Sequence, residues 1–202
     1  DRLPQARVIA VTGSAGKTGT KDLIADVLEP QAPTIAPVGS FNNELGLPLT
    51  VLRADERTRF LVLEMGSRGR GHIAHLTQIA PPQVGVVLMV GTAHLGEFGG
   101  QQAIAEAKRE LVAALPADGV AVLNADDPRV AAMRERSAAD VVFFSTEPEG
   151  TNPIVEDHLA RGGIVARVEV QTAAAPTGGA PSPVAPPGGE TFVVRRGRLV
   201  RQ

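Results

Sequence analysis

No cysteine, tryptophan or tyrosine occurs among the 202 residues. Without thiols there is no disulfide and no thiolate metal site, which suits a reducing compartment. Six phenylalanines are the only aromatics, too few for the stacking platforms on which single-stranded nucleic acid is read. Charge of one sign is lacking as well. A formal net charge of -2 and a pI near 6.1 give no field that would draw nucleic acid or anionic lipid, so any anionic ligand must be held by local geometry. No apolar run approaches the roughly 18 residues of a membrane-spanning helix. The opening Asp1-Arg2-Leu3-Pro4 lacks the layout of a signal peptide. These absences lead us to expect a cytoplasmic protein with no nucleic-acid partner and no membrane insertion.

What is present is an alternation of short apolar runs with helix-length segments. Residues 7–12 (RVIAVT) read as a buried strand feeding a glycine turn. Leu23, Ile24, Val27 and Leu28 then recur at helical spacing, which predicts a helix from Thr18 to Leu28 with those four on one face. The pattern continues with Phe60 to Leu63, a helix carrying Ile73, Leu76 and Ile79, and a strand over Val84 to Val90. A long amphipathic stretch from Gln101 to Leu115 follows, then a strand at Val120 to Leu123, a helix near Asp127 to Arg136 and a strand at Val141 to Phe144. Strands alternating with helices imply an α/β fold, a mostly parallel sheet with helices on both faces. We expect residues 1–147 to form this nucleotide-binding domain and residues 148–202 a β-rich appendage. Within it, Ile164 to Val170 and Thr191 to Val200 suit a small terminal β-ribbon, and the Pro/Gly/Ala-rich stretch 173–189 a flexible loop.

The chemistry begins at Gly13-Ser14-Ala15-Gly16-Lys17-Thr18. A complete Walker pattern would place glycine at position 11, where Val11 stands. The remainder is mechanically sufficient. Gly13 and Gly16 let backbone N–H groups turn inward, and the following helix presents the positive end of its dipole to phosphate. Lys17 would reach the β- and γ-phosphates and the Thr18 hydroxyl would ligate magnesium. Glu64 and His94 each follow an apolar strand, where ligands collect in open α/β sheets. A lone Glu in that position is otherwise a solvated loop charge. His72 and His75 are read as surface or packing residues, because their helical spacing has no third ligand nearby. His158 receives no role.

Six stretches, VTGSAGKTGTKDL, GSFNNELGLPLTVLR, LVLEMGSRGRGHI, VGTAHLGEFGG, IAEAKREL and VLNADDP, lie in this order between Val11 and Pro128, within a region of likeness from residue 7 to about 146. Together they resemble the central domain of the Mur ligases, most closely the branch that adds D-alanyl-D-alanine to the cell-wall precursor. The resemblance implies an ATP-dependent peptide ligase acting through an acyl phosphate, with ATP and two magnesium ions as cofactors. Its implied partners are a UDP-muramyl-peptide and D-alanyl-D-alanine. It implies that Gly13, Ser14, Ala15, Gly16, Lys17 and Thr18 hold the nucleotide with Asn124, and that Thr18 and Glu64 serve the first magnesium. His94 and a carbamylated Lys108 would serve the second, and Asn42 and Asn43 would contact the muramyl substrate. From the residues alone, Lys108 is a solvated charge on an amphipathic helix. Asn42 and Asn43 are equally a turn or cap, Asn124 has the cap of the helix that follows as its alternative, and Asp126 and Asp127 read rather as that cap.

The resemblance has departures. Gly19 replaces a hydroxyl residue common in the family. The family's uridine-nucleotide-binding and amine-binding domains are not in this sequence, so we expect weak nucleotide binding and no complete turnover from these residues alone. The tail, with TEPEGTNPIVEDHLARGG and ETFVVRRGRLV, more loosely resembles the Mur-like module of cyanophycin synthetases, a competing ligase reading. A P-loop module without ligase activity is the competitor from another class.

Overall fold

The computed structural model describes residues 5–91, 100–170 and 190–196. Eight strands form one sheet: β1 (Arg7–Thr12), β2 (Thr34–Ile35), β3 (Phe60–Glu64), β4 (Val84–Val87), β5 (Val120–Asn124), β6 (Asp140–Ser145), β7 (Ile164–Val170) and β8 (Glu190–Arg196). Their order is β2-β3-β1-β4-β5-β6-β7-β8. All neighbours run parallel except β7 and β8, which pair antiparallel from Ile164 opposite Arg196 to Val170 opposite Glu190. The terminal ribbon is therefore joined to the main sheet, with Val142 of β6 in register with Ile164 of β7. The Pro/Gly/Ala-rich stretch 173–189 lies outside the described residues.

Among the described residues six α-helices connect the strands: α1 (Lys17–Leu28), α2 (Gly46–Val51), α3 (His72–Ile79), α4 (Gln101–Ala113), α5 (Pro128–Ala131) and α6 (Pro153–Ala160). A 3-10 turn over Ala132–Arg136 continues α5. The strands read as unbroken apolar runs because both of their faces are buried. Val8, Ala10, Leu61 and Leu63 point into the larger core with Ile73 and Leu76 of α3, Ile104 and Leu111 of α4 and Val155 of α6. Their alternates Ile9, Val11 and Val62 pack beneath α1 with Ala25 and, half-buried, Ile24 and Leu28.

Helix α1 departs from the apolar face expected of it. Leu23 and Val27 are 67% and 64% exposed, and the buried positions are Lys21 and Ala25. The stripe turned to the sheet is thus Lys21, Ile24, Ala25 and Leu28, an equally regular helical repeat. Its rotation follows from its start. The chain leaves β1, turns through Gly16 in the left-handed region at φ 81°, and enters α1 at the next residue, leaving little freedom to choose which side faces inward.

Candidate functional site

The loop of residues 13–16 lies at the carboxyl end of β1, the interior strand on which the order of the sheet turns, the usual place for a ligand in such sheets. Ser14 N donates to Met89 O at 2.9 Å, closing the loop against the exit of β4. The Lys17 ammonium folds back onto Gly13 O at 3.1 Å. Helix α1 has no side-chain cap and no acidic residue in its first turn, so its N-terminal N–H groups are left to a ligand. Among the described residues the buried Ser14 hydroxyl has no hydrogen-bond partner. A phosphate oxygen would satisfy it, so the loop fits a nucleotide on that ground.

Beside the loop, Glu64 is 1% exposed and is gripped from two sides. The Thr18 hydroxyl donates to Oε2 at 2.7 Å, and Asn42 Nδ2 donates to Oε1 at 2.6 Å. Asn42 is fixed in turn by Gly66 N, which donates to its carbonyl at 2.8 Å. A hydroxyl and a carboxylate are hard oxygen donors of the kind magnesium selects, so Thr18 and Glu64 fit that ion.

Lys108 lies on α4 and is 5% exposed. Burial, and after it the positive charge of Lys17, lowers its ammonium from 10.5 to about 8. Sequence alone reads it as a solvated charge; the fold instead buries it within the electrostatic reach of Lys17. His94 lies outside the described residues. No cluster of three or more His, Asp or Glu side chains able to hold a metal occurs among the described residues.

The other expected contacts divide between the site and its supports. Asn43 is exposed, and its Oδ1 accepts from Leu45 N at 3.2 Å and Gly46 N at 2.8 Å, capping the start of α2. Asn124 donates to Leu88 O at 2.8 Å and accepts from Asp126 N at 2.9 Å, bracing the ends of β4 and β5. Asp127 caps α5 through Arg129 N at 3.0 Å and also receives Val90 N at 2.7 Å. Asp126 is a junction: its oxygens accept from Ser145 Oγ, Thr146 N, Thr146 Oγ1 and Asn152 Nδ2. Asn152 in turn caps α6.

A cavity of about 340 Å³ opens next to Glu64 and is lined by Asn42, Asn43, Gly66, Arg68, His72 and His75 among others. Its wall is tied to the lysine helix by Glu110, a residue without a role in the sequence motifs. Glu110 of α4 accepts from Gly71 N at 2.6 Å and Ala74 N at 3.0 Å, across the first turn of α3. A carboxylate there answers the dipole of α3. No local pattern signals such a contact, because its partners are 36 and 39 residues away.

A phosphate loop beside an oxygen-donor carboxylate on the neighbouring strand, with a buried lysine within the electrostatic reach of Lys17, has the parts of a nucleotide-binding site. The chain belongs to the Mur ligase family, whose middle-domain model matches residues 11–171. It is 57% identical over 157 residues to the UDP-N-acetylmuramoyl-tripeptide--D-alanyl-D-alanine ligase of Mycobacterium tuberculosis, covering 76% of this chain and 31% of that protein. The Bacillus subtilis enzyme of the same name is 46% identical over 122 residues, 60% of this chain and 27% of that one. Among solved structures, MurF from Acinetobacter baumannii superposes with a TM-score of 0.70 at 35% identity, over 83% of this chain and 34% of that chain. MurF from Thermotoga maritima in complex with ADP gives 0.65 at 38% identity, over 71% of this chain and 34% of that one. The chain thus spans about a third of the length of these relatives. Among the described residues no helix is long and apolar enough to cross a membrane.

Proposed function

We propose that this chain is the ATP-binding core of a ligase that joins D-alanyl-D-alanine to a UDP-N-acetylmuramoyl-tripeptide in the cytoplasm. The observation that carries the reading is the Glu64 carboxylate held between Thr18 of the phosphate loop and Asn42 at the mouth of the cavity. It supports the reading by joining the start of α1 to the mouth of the cavity through one side chain.

In the reaction an acceptor carboxylate oxygen attacks the γ-phosphorus of ATP, the bond to ADP breaks, and an acyl phosphate forms. The amine of the second substrate then attacks the acyl carbon, phosphate leaves, and the amine gives up a proton. Lys17 and the N–H groups of residues 13–16 bind and orient the phosphates, and Lys17 offsets charge developing on the γ-phosphoryl group. Thr18 and Glu64 would hold one magnesium ion, and His94 with a carbamylated Lys108 a second. Bound magnesium supplies Lewis-acid stabilisation of the phosphoryl oxygens. Lys108 suits its part because only a neutral amine takes up carbon dioxide, and burial favours that form. Asn124 would serve the nucleotide by bracing the strand ends, and Asn42 and Asn43, which line the cavity, would contact the acceptor.

The test is phosphate release by the natural polypeptide that carries these residues. Release that requires both a muramyl tripeptide and D-alanyl-D-alanine supports the ligase. Hydrolysis of ATP that ignores both would establish instead a P-loop NTPase.

A further inference from the structure

Lys21 is fully buried on the inward stripe of α1. Its ammonium donates to Pro37 O at 2.6 Å and lies 2.5 Å from Asp22 Oδ1, on a side chain 56% exposed. Removing an ammonium from water is costly, and one carbonyl and a half-solvated carboxylate return little of that cost. A methionine would fill the same volume without the penalty. Stability is therefore a poor reason for a lysine here, and its place in the fold offers another.

Pro37 begins the segment that runs from β2 to α2 and carries Asn42. Residues 38–41 of that segment are exposed. The segment is held at its ends, by Lys21 at Pro37 O and Arg53 at Ala36 O on one side and by the contacts of Asn42 with Glu64 and Gly66 on the other. Lys21 is also three residues beyond Thr18, on the adjacent turn of the same helix. Helix α1 consequently reaches Glu64 twice, directly through Thr18 and indirectly through Lys21, Pro37 and Asn42.

We propose that Lys21 is a positioning residue that tethers the Asn42 segment at Pro37 and so keeps Glu64 aimed at the metal site it shares with Thr18. The proposal rests on the reading of Thr18 and Glu64 as magnesium ligands.

The test is made on the chain itself with Mn2+ and ADP, following the metal by electron paramagnetic resonance and stability by thermal unfolding. Lys21→Met is expected to unfold at the same temperature or higher, to bind metal-free ADP as before, and to bind Mn2+-ADP roughly tenfold more weakly, the scale of one charge-assisted hydrogen bond. Asn42→Ala is expected to show the same loss, and the double variant to bind no worse than Asn42→Ala alone, since both act along one path. A Lys21→Met chain that is less stable, or fails to fold, would make Lys21 a structural residue and overturn the proposal. So would unchanged Mn2+-ADP affinity, or losses that multiply in the double variant. Thr18→Ala separates the two levels. If it binds Mn2+-ADP as well as the unaltered chain, the magnesium reading itself fails and this proposal with it.

Discussion

Thr18 and Glu64, 46 positions apart in the chain, share a hydrogen bond of 2.7 Å. It spans the first turn of α1 and the end of β3, so the helix that leaves the phosphate loop is locked to a second strand before any ligand arrives. Replacing Glu64 by Gln keeps the shape and removes the charge. This variant is expected to lose tenfold or more in magnesium-nucleotide affinity, on the order of 1.4 kcal/mol, while nucleotide without metal binds as well or better. Titration of a fluorescent nucleotide with and without magnesium distinguishes the two.

Gly66 shows how tightly Asn42 is seated. A Cβ added at position 66 would lie 2.8 Å from Asn42 Oδ1 and 2.9 Å from its Cγ. Gly66→Ala should therefore push the amide off Glu64 at a stability cost of about 1–3 kcal/mol. Its side-chain amide resonances would move in a nitrogen-correlated NMR spectrum, whereas spectra matching the parent would show that the loop gives way freely.

Lys17 and Lys108 are coupled through charge. With Lys108 lowered to about 8, close to half of its amine is neutral at pH 8. Lys17→Met removes a nearby positive charge, so the Lys108 value rises and its neutral fraction falls. Labelled carbon dioxide at pH 8 is expected to give a carbamate carbon signal in the parent chain, a weaker one in Lys17→Met and none in Lys108→Met.

Asp126 joins three pieces of chain. Asp126→Ala would leave the Ser145 and Thr146 hydroxyls, Thr146 N and one Asn152 amide hydrogen without their acceptor. The expected loss is about 2–4 kcal/mol in urea unfolding. A loss below about 1 kcal/mol would mean that water replaces the carboxylate at little cost.

His158, given no role from sequence, stacks edge-on against Phe143 with ring centres 4.9 Å apart and meets Val141 O at 3.1 Å through Nε2. Burial lowers it from 6.5, against the opposing pull of its backbone contacts. The unfolded chain therefore takes up this proton first as pH falls. Its contribution to stability is intact at neutral pH and declines as pH drops through 6.5 towards the lower folded value. The difference in urea midpoint between the parent and His158→Gln should shrink over that range.

Most of the sheet was legible because parallel strands buried on both faces leave unbroken apolar runs, such as Phe60–Glu64 and Val120–Asn124. Helix α4 was legible from its amphipathic repeat. The two-residue β2 and the six-residue α2 were not, since neither is long enough to establish a period. Helix α6 begins with Asn152 and Pro153, a start signal short of any apolar repeat long enough to extend it. The face of α1 is not legible from hydropathy, which ranks Leu23 above Lys21, whereas the loop before the helix decides its rotation. In the site, the phosphate loop and Glu64 could be placed from strand ends. The bracing duty of Asn124, the cap made by Asn43 and the reach of Glu110 depend on contacts that no local pattern records.

The N-terminus of a helix is a seat for an anion, and this fold fills most of its own. Asn43 occupies that of α2, Glu110 that of α3, Asp127 that of α5 and Asn152 that of α6. Among the described residues, α1 and α4 are left without a side-chain cap. A polyphosphate arriving at this edge of the sheet therefore meets rivals already installed at four of the six helix starts among the described residues. Selectivity here comes partly from crowding: the protein steers its ligand by having taken the other chairs.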